Sequence, residues 1–321
     1  MDTANVQDLL EKALLKRLPL KGVTNALRLV NGYGDGMEGL ILEQYNRHFV
    51  VSILETEWHQ HCQTILDFVK TRLNAEYFIV KDRTASASSE PGAFRSAVWL
   101  NNGSSQTIVE ENNLKFSVDL NDTLNSGLFL DMRSNRAAVA VLAHSRKVLN
   151  CFAYTCSFGV HCRASGAASV VNVDVGRKCL ERGRQNYELN NIPAEKNEFI
   201  RADAVQYLER AAKKDNRFDM IILDPPSFAR HEGNTFSVKK DLAPLVASAM
   251  NVLNPGGVIF VATNYSLMSH DGLCDMVSEA AGERQLQKME RFGQDIDFPG
   301  SGLMQESYLV AVLALMKNIP S

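Results

Sequence analysis

Residues 218–228 read FDMIILDPPSF. The apolar run Met220-Ile221-Ile222-Leu223 has the texture of a strand buried on both faces, as in a parallel sheet. It ends on an acid, two prolines and an aromatic ring. Proline can neither extend a helix nor sit inside a sheet, so Pro225 and Pro226 impose a stiff, irregular turn. Stiffness at the end of a buried strand points to a place where something must be held still.

Outward from that strand, further apolar runs alternate with helical stretches: Lys147–Phe152, Ser169–Asp174, Glu198–Arg201 and Val258–Thr263. This βαβα rhythm predicts an α/β fold, an open, Rossmann-like, doubly wound and mostly parallel sheet with helices on both faces. The first hundred residues differ. Leu9, Leu10, Ala13, Leu14 and Leu18 recur near helical spacing until Pro19. Then come strand-like runs at Ala26–Val30, Leu40–Glu43, Phe49–Leu54 and Tyr77–Lys81, a helix-like stretch at Trp58–Leu73, and a polar loop, TASASSEP, at 84–91. Thr107–Glu110 and Leu114–Leu120 flank ENN (111–113) and suggest a hairpin. The expected division is a small N-terminal α+β domain at 1–103, a candidate for RNA or substrate recognition, and a catalytic domain at 104–321.

With 321 residues, 45% apolar and 22% charged, the chain has an ordinary globular composition. A formal net charge of −3 gives no global case for nucleic acid, so any such binding rests on local basic groups. Lys12, Lys16, Arg17 and Lys21 form one such cluster; Arg230, Lys239 and Lys240 form another. Six cysteines and no targeting segment point to reduced thiols in the cytoplasm. Cys151, Cys156 and Cys162 cluster but lack the spacing of a zinc site, so no metal is expected. No apolar stretch has the ~20 residues of a membrane span.

Ligands in doubly wound sheets bind outside the carboxyl ends of the strands. The first end, LNCFAYTCSFGVHC (149–162), breaks into small and hydroxyl residues before a helix and can offer backbone N–H groups. It carries neither a dinucleotide nor a triphosphate fingerprint. Asp174, ending the second strand, has the place and the two acceptor oxygens for a ribose, or it caps the helix near Gly176. Asp203, after the third strand, can accept from an exocyclic amino group such as adenine N6, or cap the next helix. Asp224 and its turn can aim a carboxylate and carbonyls at a donor, while Phe228 offers a flat stacking face or fills the core.

In this order, these pieces resemble class I S-adenosylmethionine-dependent methyltransferases. More narrowly, they resemble the bacterial ribosomal RNA methyltransferase family that contains the large-subunit 5-methylcytosine enzymes and their relatives. The matching stretches are TNALRLVNGYGDGMEGLILEQY (24–45), GLFLDMRSNR (127–136), LNCFAYTCSFGV (149–160), VVNVD (170–174), NYELNNI (186–192), FDMIILDPPSF (218–228), LNPGGVIFVATNYS (253–266) and ESYLVAVLA (306–314). The family often carries an additional N-terminal RNA-binding domain, which a chain of this length is not expected to contain. The resemblance implies S-adenosyl-L-methionine as cofactor, held by Phe152, Tyr154, Thr155, Cys156, Ser157 and Phe158 around the methionine part. It gives the ribose to Asp174 and Val175, the adenine to Asp203 and Ala204, and the methyl-transfer face to Asp224. Phe129, Asp131 and Arg133 are implied as further cofactor contacts. Relatives commonly have glycine at the place of Cys156, whose Cβ disfavours positive φ. A tamer backbone or a looser grip on the cofactor is therefore expected there.

Methylation of cytosine C5 requires a cysteine thiolate to attack C6 first. The family's cytosine enzymes carry that cysteine after the strand that follows the glycine pair; here Asn264 stands in its place. An amide forms no covalent adduct. The expected target is therefore a ring or exocyclic nitrogen of RNA, with large-subunit ribosomal RNA as the partner. Asp224, Pro225, Phe228 and Asn264 are the catalytic candidates. A helper cysteine at 156 or 274 stays open, as do a protein or small-molecule N-methyltransferase and a non-catalytic relative. The oligomeric state is also open, a homodimer among the options.

Overall fold

The computed structural model describes residues 2–84, 95–122, 125–231, 234–282, 286–300 and 308–318. Most of the polar loop expected at 84–91 lies outside them. The chain divides into two compact units, Met1–Arg133 with Asp295–Glu306, and Ser134–Gln294 with Ser307–Ser321.

The first unit is built from α1 (Thr3–Lys16), β1 (Ala26–Asn31), β2 (Leu40–Tyr45), β3 (His48–Ile53), α2 (Cys62–Leu73), β4 (Tyr77–Asp82), β5 (Arg95–Asn101), β6 (Gln106–Glu111) and β7 (Leu114–Asp119). Strands β1 to β5 form one sheet in chain order. Only β3 and β4 run parallel, and α2 supplies their crossover. Val6, Leu10 and Ala13 of α1 share a core with Ile65 and Val69 of α2 and with Phe49, Val51 and Phe78 of the sheet. The expected hairpin is β6–β7. Its turn is Asn112-Asn113, with φ of 51° and 64°, the left-handed pair that two-residue hairpins require.

That hairpin moves the expected boundary at 103/104. Thr24 bridges Glu111, the Asn25 side chain accepts from Glu110 N at 2.7 Å, and Asn112 N donates to Val23 O at 2.8 Å. These bonds tie β6 to the segment before β1, so the first unit extends to Arg133. Residues 295–300 return to it. Arg133, 1% exposed, donates to Asp295 Oδ2 at 2.9 Å, to Asp297 Oδ1 at 3.1 Å and to Ala26 O at 2.8 Å. Asp297 also accepts from Arg28 N at 2.7 Å.

Part of the basic cluster expected at 12–21 is paired inside this unit. Arg17 makes a bidentate pair with Asp35, 2.6 and 2.7 Å, with both side chains buried. Lys16 reaches Asp35 at 3.0 Å and Lys12 pairs with Asp8 at 2.6 Å. Burial alone would raise the Asp35 pKa, but the Arg17 guanidinium outweighs it and holds the carboxyl below the usual carboxylate value. Asp35 thus binds fewer protons folded than unfolded. Its stabilisation is complete above the ordinary carboxylate range and is lost as pH falls through the depressed folded value. Asp35→Asn should cost ~3–5 kcal/mol at pH 7, because it strands a buried guanidinium. Urea melts of both proteins should converge as the pH is lowered below ~4. A constant gap would contradict the pairing.

The second unit holds α3 (Arg133–Val141) from Ser134 onward, β8 (Lys147–Cys151), α4 (Ser157–Ala164), β9 (Ser169–Asp174), α5 (Arg177–Leu189), β10 (Phe199–Arg201), α6 (Ala204–Lys213), β11 (Phe218–Leu223), β12 (Phe228–His231), β13 (Asn234–Ser237), α7 (Val238–Asn251), β14 (Leu253–Thr263), α8 (His270–Ala281), β15 (Leu286–Phe292) and β16 (Val310–Met316). Its seven-stranded sheet has the order β10-β9-β8-β11-β14-β16-β15. The first five strands are parallel; β16 is antiparallel to both neighbours. The doubly wound sheet expected from the sequence is therefore present. Alternation sorts the side chains. Leu149, Cys151, Ile221, Leu223, Ile259 and Val261 pack under α6, α7 and α8, while Phe260 of β14 meets Phe158 of α4 on the other face. The chain runs outward from β8 to β10 and then returns to β11 on the far side of β8, which makes the carboxyl ends of β8 and β11 the switch point of the sheet. No described helix is long and apolar enough to cross a membrane.

Candidate active site at the carboxyl edge of the sheet

The loop after β8 leaves the strand through three non-glycine residues in the left-handed region: Phe152 (φ 56°), Tyr154 (48°) and Cys156 (61°). Such residues are uncommon singly, and strain of this kind gathers at ligand sites. The loop is pinned at several points. Ala153 N donates to Val173 O at 3.0 Å, Cys156 N to Ala153 O at 2.7 Å, and buried Asn186 of α5 donates to Thr155 O at 3.0 Å. Asp174 Oδ2 accepts from Tyr154 N at 2.8 Å and its Oδ1 from Gly176 N at 2.7 Å. The carboxylate is thus fixed at the end of β9 and braces the loop beside it.

The tame backbone expected at Cys156 is not what forms, since its φ is as left-handed as its neighbours'. Space for the side chain comes from α5. A Cβ added at Gly183 would stand 3.0 Å from Cys156 Cβ and closer still to Sγ. The thiol is fully buried against this glycine, on the side away from solvent.

Asp203 caps α6, its Oδ1 accepting from Gln206 N at 3.0 Å. It follows β10, which pairs with β9 so that Arg201 lies opposite Asp174. Of the other expected residues, Phe158 and Ala204 turn their side chains into the core, which leaves only their backbone for a ligand. Ser157 opens α4, and Val175 is half-buried beside Asp174. Phe129, Asp131 and Arg133 belong to the first unit, where the Arg133 guanidinium is committed to Asp295, Asp297 and Ala26 O.

At the end of β11, Asp224 and Pro225 enter the turn, and Phe228 is 54% exposed. The core-filling reading of Phe228 therefore fails. Asn264, at the end of β14, meets this turn: Ser227 Oγ donates to Asn264 Oδ1 at 2.6 Å. Ser227 and Asn186 went unnoticed in the sequence, although both sit inside the quoted stretches DPPSF and NYELNNI. No cysteine lies on these two loops. Burial raises the thiols of Cys151 and Cys156, and raises Cys162 to about 12, so none of the three is a thiolate near neutral pH.

A braced carboxylate at the end of β9, a tight backbone loop after the strand on one side and a second acid after the strand on the other fit the donor set of S-adenosylmethionine. The comparisons agree. The family described as S-adenosylmethionine-dependent methyltransferase matches residues 92–308. A relative from Tolumonas auensis named ribosomal RNA large subunit methyltransferase I is 31% identical over 306 residues, covering 94% of this chain and 76% of its own. One of the same name from Aeromonas salmonicida is 32% identical over 302 residues, covering 92% and 75%. The crystal structure of SMU.776 complexed with SAH is 25% identical with a TM-score of 0.87, covering 98% of this chain and 82% of that one. This chain belongs to the S-adenosylmethionine-dependent methyltransferase family.

Proposed function

We propose that the chain methylates a nitrogen of an RNA base, with large-subunit ribosomal RNA as the substrate. The names of the relatives support the RNA. The observation that carries the nitrogen is Asn264, exposed at the end of β14 and bonded to the DPPSF turn, where C5 chemistry would need a thiolate. When bound, S-adenosylmethionine supplies an electrophilic methyl group. A ring or amino nitrogen has its own lone pair and needs only positioning and exclusion of water. Asp174 and Asp203 orient the cofactor, Asp224 lines the transfer face, and Phe228 gives the extruded base a stacking surface. Lys239 and Lys240, both exposed at the start of α7, follow the β12–β13 hairpin that begins at Phe228 and are placed to meet phosphates.

The test is incubation of the purified chain with labelled cofactor and unmodified ribosomal RNA, followed by nucleoside identification. An N-methylated nucleoside is expected. Label in 5-methylcytidine, or in protein instead of RNA, would contradict the reading. Cys179→Ala and Cys274→Ser, at the two half-buried cysteines of this unit, should keep the rate within ~3-fold, the range of substitutions away from structural features. A ~100-fold loss in either variant would reveal a nucleophile.

A further inference from the structure

The hairpin β12–β13 is a sheet of its own, paired with no other strand among the described residues. It is inserted between the DPPSF turn and α7, and its base is fixed. Val238 N donates to Ser227 O at 3.1 Å, and Ser237 N to Asp241 Oδ2 of α7 at 2.7 Å. The register sets Phe228 opposite Ser237 and Ala229 opposite Phe236. Opposed residues share a face of an antiparallel pair, and successive residues alternate between the faces. Phe228 and Phe236 therefore lie on opposite faces. Phe228 is 54% exposed. Phe236 is half-buried and packs against the core that includes Leu149, Leu223 and Leu242. Its ring centroid lies 5.6 Å from that of Phe152, tilted by 48°. Phe152 is where the chain leaves β8, and it is the first of the three left-handed residues in the loop at 152–156.

We propose that Phe236 is a positioning residue: the hairpin offers its outer face to RNA and props the loop at 152–156 with its inner ring, so that RNA and S-adenosylmethionine bind with positive coupling. The inference rests on the RNA substrate proposed above and adds how that substrate acts on the cofactor site. A two-stranded ribbon is at best marginally stable by itself, so its order depends on what packs against it. The loop at 152–156 holds three residues in a sparsely populated backbone region, which persist only where the surroundings fix them. Each element is thus a support for the other, and the Phe152–Phe236 pair joins them. RNA seated on the Phe228 face orders the hairpin and so lowers the entropic cost of seating the cofactor against the loop. By linkage, the cofactor tightens RNA binding by the same factor.

The test measures equilibrium binding of labelled S-adenosylhomocysteine to the full chain, without RNA and with saturating unmodified ribosomal RNA. This ligand has no methyl group to transfer, so nothing turns over. RNA should tighten the binding about 5-fold or more. Phe236→Ala should weaken it about 3–10-fold without RNA, the size of an aromatic pair, and should cut the gain from RNA to below about 2-fold. Phe236→Leu, which keeps the apolar contact, should restore most of both. In the unaltered protein, S-adenosylhomocysteine alone should slow amide hydrogen exchange in β12 and β13. RNA that binds while leaving the affinity for S-adenosylhomocysteine unchanged, a Phe236→Ala protein that keeps the full gain, or exchange in the hairpin that ignores the ligand would overturn the inference and leave the RNA methyltransferase reading intact. A chain that binds no ribosomal RNA would refute that reading and this inference with it.

Discussion

Asp174→Ala is expected to weaken S-adenosylmethionine binding by about 10³-fold, the largest effect of any single change at the cofactor site. The carboxylate does two things at once. It accepts from Tyr154 N at 2.8 Å and from Gly176 N at 2.7 Å, which braces a loop with left-handed residues at 152, 154 and 156. A carboxylate offers about four lone-pair sites, so one group can serve backbone N–H groups and ribose hydroxyls together. Hydrogen bonds to a charged group contribute ~1.5–3 kcal/mol apiece, so losing two costs ~3–6 kcal/mol, or ~10²–10⁴ in affinity. Asp174→Asn keeps an accepting oxygen but gives the amide two donors facing N–H groups, and should fall between. Titration calorimetry with S-adenosylmethionine measures this. An Asp174→Ala protein binding within a few-fold of wild type would show that the ribose sits elsewhere.

The second large effect concerns stability. Gly159→Ala in α4 should destabilise the second unit by ~3–5 kcal/mol, against the ~1 kcal/mol gain that the same exchange brings to an ordinary helix. The reason lies beneath the helix. Asn150 Nδ2 donates to Asn172 Oδ1 at 2.9 Å, and Asn172 Nδ2 donates to the Tyr187 hydroxyl at 3.0 Å and to Glu198 O at 3.3 Å. All three side chains are buried. A Cβ at 159 would stand 2.8 Å from the Tyr187 hydroxyl and closer to Asn172 Oδ1. Overpacking costs ~1–3 kcal/mol, and breaking a buried network adds a similar sum by stranding its polar groups. Urea denaturation checks it: a midpoint equal to wild type, or higher, would mean that the network yields easily. Affinity for the cofactor should fall in the same variant, since α4 continues directly from the loop at 152–156.

How much of this was legible in the sequence follows from the range of each interaction. Strands β8, β9, β11 and β14 announced themselves because an apolar run buried on both faces is a local signal. The acids that follow β9, β10 and β11 fell at the ligand edge for the same reason. Strands β5, β15 and β16 were missed as elements. Residues 95–101 and 286–292 mix polar and apolar side chains at positions that are mostly not buried, which blurs the period of two. Hairpin β6–β7 was seen, but its allegiance was not, because it depends on Asn25 reaching Glu110 from 85 residues away. Cys156 was judged by its own Cβ, and that local argument failed because Gly183 on another helix makes room. The basic cluster at the end of α1 is reduced for a similar reason: Asp35, in a glycine-rich turn, pairs with buried Arg17 and with Lys16. The contact between Ser227 and Asn264 crosses from one strand end to its neighbour over 37 residues, and no periodicity announces such a pair.

The most direct measurement is a crystal structure of the chain grown with S-adenosylhomocysteine. The product should lie along the ends of β8, β9 and β10, with its ribose hydroxyls on Asp174, its adenine toward Asp203 and its sulfur facing the turn at Asp224. Density for the product elsewhere in the fold, or a ribose out of reach of Asp174, would contradict the site described here.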